Sequence, residues 1–187
     1  MNEQLFAGNG GGRVKQLYAD NGVFSSFHRV FEHKDPFSSE GVTSLPIRVV
    51  LFPTDGYHLT ETQFNAMKSA AKAIDETYFY VCETEVEYLE KANTWLCDSP
   101  TYAEYSSVFV GIENAVFSAD SHWGLIISHE LHALLVCNDV FWENFRRAYP
   151  TLNKDYLEFV EYWEENEAAL GSNIDWLKPF LQQLTSI

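Results

Sequence analysis

Five consecutive residues, Ser128-His129-Glu130-Leu131-His132, carry the side chains of this chain that are best suited to chemistry. Two imidazoles and a carboxylate can ligate zinc, and the helical motif His-Glu-x-x-His places both imidazoles on one face while the glutamate activates water. Here the two histidines are three positions apart, one residue short of that motif. One hypothesis is therefore a metal-dependent hydrolase with zinc held by His129, Glu130 and His132.

The residues around this cluster favour β-strands over a zinc-binding helix. Residues 123–129 and 132–137 are rich in Ile, Leu and Val, and turn-forming residues bracket the stretch on both sides. A helix over residues 125–137 would be apolar nearly all round, which only a fully buried helix can be. We therefore expect a hairpin core in which His129 and His132 lie at a turn or a bulge and have a structural role.

Serine and cysteine nucleophiles have less support than the metal site. Ser128 adjoins His129, but neighbours on a strand face opposite sides of the sheet, and no G-x-S-x-G elbow exposes a serine. Cys82, Cys97 and Cys137 share no C-x-x-C spacing, so free buried thiols in a reducing compartment explain them best.

The charge balance indicates which partners the chain can have. It has 27 acidic and 12 basic residues, a formal net charge of −15. A field of this sign repels phosphate backbones and anionic lipid, so nucleic acid and membrane surfaces are not expected as partners, whereas a basic protein is favoured. No apolar run approaches the roughly 20 residues of a membrane span, and no signal-type segment opens the chain, so we expect a cytoplasmic protein.

Two acidic surfaces are the candidate binding sites for a basic partner. In a predicted helix over residues 153–170, apolar residues form one stripe and glutamates occupy most of the other positions. In a predicted strand over residues 77–86, glutamates alternate with a period of two and so share one face. The predicted binding residues are Glu158, Glu161, Glu164, Glu165, Glu83 and Glu85.

Length and composition predict one α+β domain. Its 187 residues, with 46% hydrophobic and 16% aromatic residues, are enough to bury a sizeable core. We predict a flexible N-terminal arm over residues 1–12 and a single domain over residues 13–187. The predicted fold class is α+β, with a mostly antiparallel central sheet around residues 108–137, flanking helices and a helical C-terminal region.

Local patterns predict the remaining elements. Residues 14–18 indicate a short helix and residues 23–31 a strand. Residues 47–52 and 77–86 are predicted strands on either side of a helix that Thr60 and Gln63 begin with a capping box; these strands run either parallel or antiparallel. Further predicted strands are 108–112 and 115–117, and further predicted helices are 140–148, 153–170 and one beginning near 175.

One succession of residues within positions 109–145 carries a resemblance. It consists of Glu113-Asn114, Ser118, Trp123-Gly124 and Ser128-His129-Glu130-x-His132-Ala133, followed in a helix by Phe141 or Phe145. The succession resembles a pattern in uncharacterised bacterial proteins. Some small acidic bacterial proteins of this general style are immunity proteins, which neutralise a toxin by binding it. The resemblance implies a binding function and carries over no catalytic residue, and no cofactor is predicted. A non-catalytic binding protein is thus the leading hypothesis, and the zinc hydrolase is the alternative.

Overall fold

The computed structural model describes residues 13–17, 21–31 and 45–185. Within these ranges the protein is α+β, as predicted, with one seven-stranded sheet and six α-helices. Each pair of neighbouring strands is antiparallel. The arm predicted over residues 1–12 lies outside the described residues.

The sheet places its seven strands in the order β1-β4-β3-β5-β6-β7-β2. The strands are β1 (Arg13–Leu17), β2 (Ile47–Leu51), β3 (Tyr78–Glu83), β4 (Thr94–Asp98), β5 (Asn114–Ser118), β6 (Trp123–Ile127) and β7 (Ala133–Cys137). Strands β2 and β3 correspond to the two strands predicted on either side of a helix, and three other strands separate them in the sheet. The two run in the same direction without being neighbours, because each step across the sheet reverses direction.

Helices cover both faces of this sheet. They are α1 (Asn21–Val30), α2 (Glu61–Ala73), α3 (Tyr102–Ser106), α4 (Asp139–Ala148), α5 (Leu152–Leu170) and α6 (Leu177–Leu181), with one 3-10 turn at Leu89–Lys91. Helices α2, α3 and α4 pack on one face, and α1, α5 and α6 pack on the other. Every residue of β5, β6 and β7 is buried, which explains why β6 and β7 are continuously apolar and do not alternate with polar residues.

The structure differs from the predictions at the N-terminal part of the chain. Residues 14–17 form a strand in place of the predicted helix, because they pair with β4 about 80 positions further along the chain. Residues 23–30 form a helix in place of the predicted strand. Val23, Phe27 and Val30 are buried at spacings of four and three, which is a helical stripe.

Two further predictions in the middle of the chain need correction. The predicted strands omitted β4, whose alternate residues Trp95 and Cys97 are buried. Residues 108–113 form no strand and instead connect α3 to β5. Val108 and Val110 are buried there although Phe109 is 82% exposed, so the strand-like composition reflects the burial of a connecting segment.

Several helix ends follow the local signals. Thr60 and Gln63 form the predicted capping box at α2, and Gly171 ends α5 in the left-handed conformation with φ 69°. The cap of α4 is Asn138, whose Oδ1 accepts from Phe141 N at 2.9 Å.

Candidate functional site

The histidine cluster lies in the hairpin turn between β6 and β7. Ser128 N donates to His132 O at 2.9 Å, which closes a three-residue loop. The third loop residue, Leu131, has φ 62°, the left-handed conformation that such loops normally give to Gly or Asn. Its carbonyl accepts from Thr54 N at 2.8 Å, so the loop is bonded to the segment that follows β2. The prediction of a hairpin with both histidines at its turn is confirmed.

Glu113 holds the serine and the first histidine of this turn. Its Oε1 accepts from Ser128 Oγ at 2.9 Å and lies 3.0 Å from His129 Nδ1. Ser128 Oγ also accepts from Glu130 N at 3.2 Å. The serine and His129 thus share a carboxylate oxygen, whereas a nucleophilic serine must bond to the imidazole itself. This arrangement stabilises a turn.

His132 is buried on the opposite side of the turn. Its Nδ1 donates to Glu130 O at 3.1 Å, and its ring lies 5.1 Å from that of Phe159 and stacks on Trp176 at 6.4 Å. The pKa of His132 is lowered to about 4, mainly by burial; the bond to Glu130 O opposes this shift and the nearby His129 contributes to it. The imidazole is therefore neutral at pH 7.

The three residues of the zinc hypothesis do not converge. His129 is directed to Glu113 and His132 to the aromatic cluster under α5 and α6, and a turn, not a helix, carries them. Among the described ranges, no set of three His, Cys, Asp or Glu side chains is arranged to hold a metal ion.

The acidic residues of the 153–170 prediction lie on α5, which begins at Leu152. Its buried side includes Phe159 and Trp163, which pack on the sheet. Glu161, Glu164 and Glu165 are exposed, and Glu158 is half-buried and 3.1 Å from Lys154 Nζ. We call these four glutamates the α5 acidic face. In a helix of 19 residues, about 28 Å long, they form one outward surface.

Another carboxylate of α5 has a structural role. Asp155 is buried, and its Oδ2 accepts from Phe52 N and from the Tyr149 hydroxyl, both at 3.0 Å. Burial raises the pKa of Asp155, while these bonds oppose the rise. The residue thereby joins the first turn of α5 to the end of β2, which positions the acidic face relative to the sheet.

The glutamates predicted on the strand over residues 77–86 do not share a strand face. Strand β3 ends at Glu83, which is buried and accepts from Asn93 Nδ2 at 2.7 Å. Glu85 is exposed in the loop that follows. Four interstrand spacings of about 4.8 Å separate β3 from β2, against which α5 packs, so Glu85 is not part of the α5 acidic face.

Sequence reasoning also missed the buried carboxylate of Glu76. Glu76 accepts from the Trp123 indole nitrogen at 2.9 Å and also bonds to His122 Nδ1. It lies between α2 and β3, at the end of the sheet where β6 begins. No motif spans the 46 positions between Glu76 and His122, so no local signal could have identified this contact.

Comparison of the chain with protein-family models, curated proteins and solved structures gives no match. Of the helices within the described residues, none has both the length and the apolar character that a bilayer crossing requires.

The three cysteines are buried and free. Burial raises the pKa of Cys82 to about 11 and that of Cys97 to about 12, so these two thiols are protonated at pH 7.

Proposed function

We propose that this chain is a non-catalytic, cytoplasmic binding protein of the immunity type, which binds a basic protein partner through the α5 acidic face. The observation that carries the proposal is that Glu161, Glu164 and Glu165 are exposed and make no ion pair with any described residue. Their charge is thus available to a positive partner, and the net charge of −15 steers such a partner towards the protein.

The placement of these carboxylates costs local stability. Glu161 and Glu165 are four positions apart, and Glu164 is three from Glu161 and three from Glu167, so like charges repel along the helix. The last turn of α5 contains no basic residue, although the negative end of the helix dipole favours one. Together these terms oppose helix stability by about 1 kcal/mol. A binding role explains why the face keeps them.

An exposed leucine lies beside the glutamates. Leu157 is 64% exposed, and it precedes Glu161 by four positions and Glu164 by seven, which places the three on one side of α5. An apolar side chain surrounded by carboxylates suits a partner surface in which basic residues surround an apolar contact. We therefore expect binding to depend on Leu157 as well as on the charges.

The remaining parts of the proposal have separate support. Three free, buried thiols within the described residues fit a reducing compartment such as the cytoplasm. The alternative function, a zinc hydrolase built on His129, Glu130 and His132, has no comparable support. The Nδ1 atoms of the two histidines bond to different groups, and the strand–turn–strand backbone directs the rings apart.

Charge reversal on α5 tests the proposal. The triple variant Glu161→Lys, Glu164→Lys, Glu165→Lys is expected to lose at least about tenfold in the capture of a basic protein from a lysate of the native host. The captured protein should leave the wild-type protein at high salt, because exposed charges are screened there. The thermal midpoint of the variant should equal or exceed that of the wild type, since lysines suit the C-terminal half of a helix.

A matched control distinguishes the effect of the α5 acidic face on binding from the effect of the total net charge. The triple variant Glu85→Lys, Glu87→Lys, Asp98→Lys changes the net charge equally, at exposed positions on the opposite side of the sheet from β2, against which α5 packs. It is expected to capture the partner as the wild type does. Equal capture by wild type and the α5 variant, or equal loss in both variants, would contradict a binding site on α5.

A further inference from the structure

A pocket lies where α4 ends and α5 begins. Its volume is about 520 Å³, which falls within the range of small-molecule sites. Its lining includes Trp142, Arg146 and Arg147 from α4 and Tyr149 and Asn153 from the connection and the first turn of α5. Two arginines therefore meet at one concave surface of a protein whose net charge is −15.

The charges of this pocket do not cancel. Glu143, which also lines it, accepts from Arg146 Nε at 3.1 Å and Arg146 Nη2 at 2.8 Å. Arg147 is exposed and makes no hydrogen bond or ion pair with any described residue. The lining thus contains two guanidinium groups and one carboxylate, which leaves one net positive charge in the pocket.

The apolar part of the wall comes from buried rings. Trp142 is 9% exposed and Tyr149 is 6% exposed, and each presents part of its surface to the pocket. The Tyr149 hydroxyl donates to Asp155, so the ring and not the hydroxyl is available there. Exposed Pro150 completes this side. The wall therefore suits a ligand with one apolar end and one anionic end.

We propose that this pocket binds a small organic acid. The carboxylate of the ligand lies against Arg147 and Arg146, because a planar guanidinium can form two parallel charge-assisted bonds with a carboxylate. Its apolar ring or chain lies along Trp142 and Pro150. Glu143 competes with the ligand for Arg146. The proposal concerns a different surface from the α5 acidic face and does not rest on the function proposed for that face.

Titration with benzoate, followed by calorimetry and by 1H–15N NMR of the full chain, tests this site. Benzoate is expected to bind at least about tenfold more tightly than benzamide, its neutral counterpart, because only the anion forms charge-assisted bonds. Benzoate should also bind more tightly than inorganic phosphate, which has no apolar part. The shifted NMR signals should belong to residues of the pocket.

Three variants make the test specific. Arg147→Gln is expected to weaken benzoate binding about tenfold, whereas Glu143→Gln should strengthen it several-fold by releasing Arg146. Lys72→Gln, at an exposed position on α2, removes the same charge elsewhere and should leave binding unchanged. All three positions are exposed, and circular dichroism checks that each variant is folded.

The proposal is overturned by any of four results. These are no benzoate binding, equal affinity for benzoate and benzamide, phosphate binding as tight as that of benzoate, or equal effects of Arg147→Gln and Lys72→Gln.

Discussion

Acid should destabilise this protein through His132, because the buried imidazole must take up a proton on unfolding. Its pKa is about 4 in the folded chain and 6.5 as the ordinary value. Between these two values the unfolded state binds the proton and the folded state does not, so the free energy of unfolding falls as the pH falls. Each pH unit of this interval is worth about 1.4 kcal/mol, and the whole interval is worth about 3 kcal/mol.

Replacement of the imidazole should remove this contribution. In His132→Asn the amide can still donate to Glu130 O, and in His132→Phe an aromatic ring still packs on Phe159 and Trp176, but neither variant titrates. From pH 7 to pH 4.5 the wild type should therefore lose about 2 kcal/mol more than either variant. Urea denaturation followed by tryptophan fluorescence at several pH values measures this difference.

Other titrating groups are common to all these proteins and cancel in the comparison. Asp155, whose folded pKa is raised, has the opposite sign, since its protonation at low pH relieves a burial cost in the folded state. His28→Asn, at an exposed position on α1, is the matched histidine control and should keep the pH dependence of the wild type. Parallel curves for wild type and both His132 variants would refute the argument that burial controls this imidazole.

Three further variants test the local arguments by urea or thermal denaturation. Gly124→Ala would place a Cβ 2.5 Å from Val30 Cγ1 and 2.6 Å from Phe31 Cζ, so it should cost about 2–3 kcal/mol; a midpoint near that of the wild type would disprove this close approach. Leu131→Asn should gain about 0.5–1 kcal/mol, because asparagine tolerates φ 62° and the leucine is already 37% exposed, and a loss would show that its contacts matter more. Thr60→Ala should cost about 1 kcal/mol by removing the capping box of α2, and an unchanged midpoint would count against that cap.

The parts of the fold that the sequence predicted are those with strong local signals. Strands β6 and β7 follow from two apolar runs bounded by turn residues, because backbone that is buried on both faces needs such runs. Helix α5 follows from a 3.6-residue stripe and a terminal glycine, and α2 from its capping box. In each case the deciding interactions lie within a few residues of one another.

The N-terminal elements could not be predicted in this way. Strand β1 is a strand because β4 pairs with it, and β4 lies about 80 residues further along the chain. The apolar residues of α1 fit a helical stripe, but they also fit a loose alternation typical of a strand. The helix forms because it buries these residues against the sheet. Short segments with weak periodicity take the state that buries them best, and burial is a property of the whole fold.

The candidate sites also differ in whether local sequence patterns could predict them. Periodicity placed Glu161, Glu164 and Glu165 on one side of a helix, and packing of the other side left them exposed. For Glu83 the strand pattern predicted an exposed carboxylate. In the structure Glu83 is buried and accepts a hydrogen bond from Asn93, the residue just before β4. The pocket near Arg147 has no sequence signature, since it arises where two helices meet.

The sequence by itself determined the sign of the charge, the central hairpin, the main helices and the acidic side of α5, because composition and local spacing decide these properties. Only the tertiary structure decided the strand order, the burial of His132 and its contrast with His129. These features depend on contacts between distant residues, and such contacts exist only after the sheet has formed and the helices have packed on its two faces.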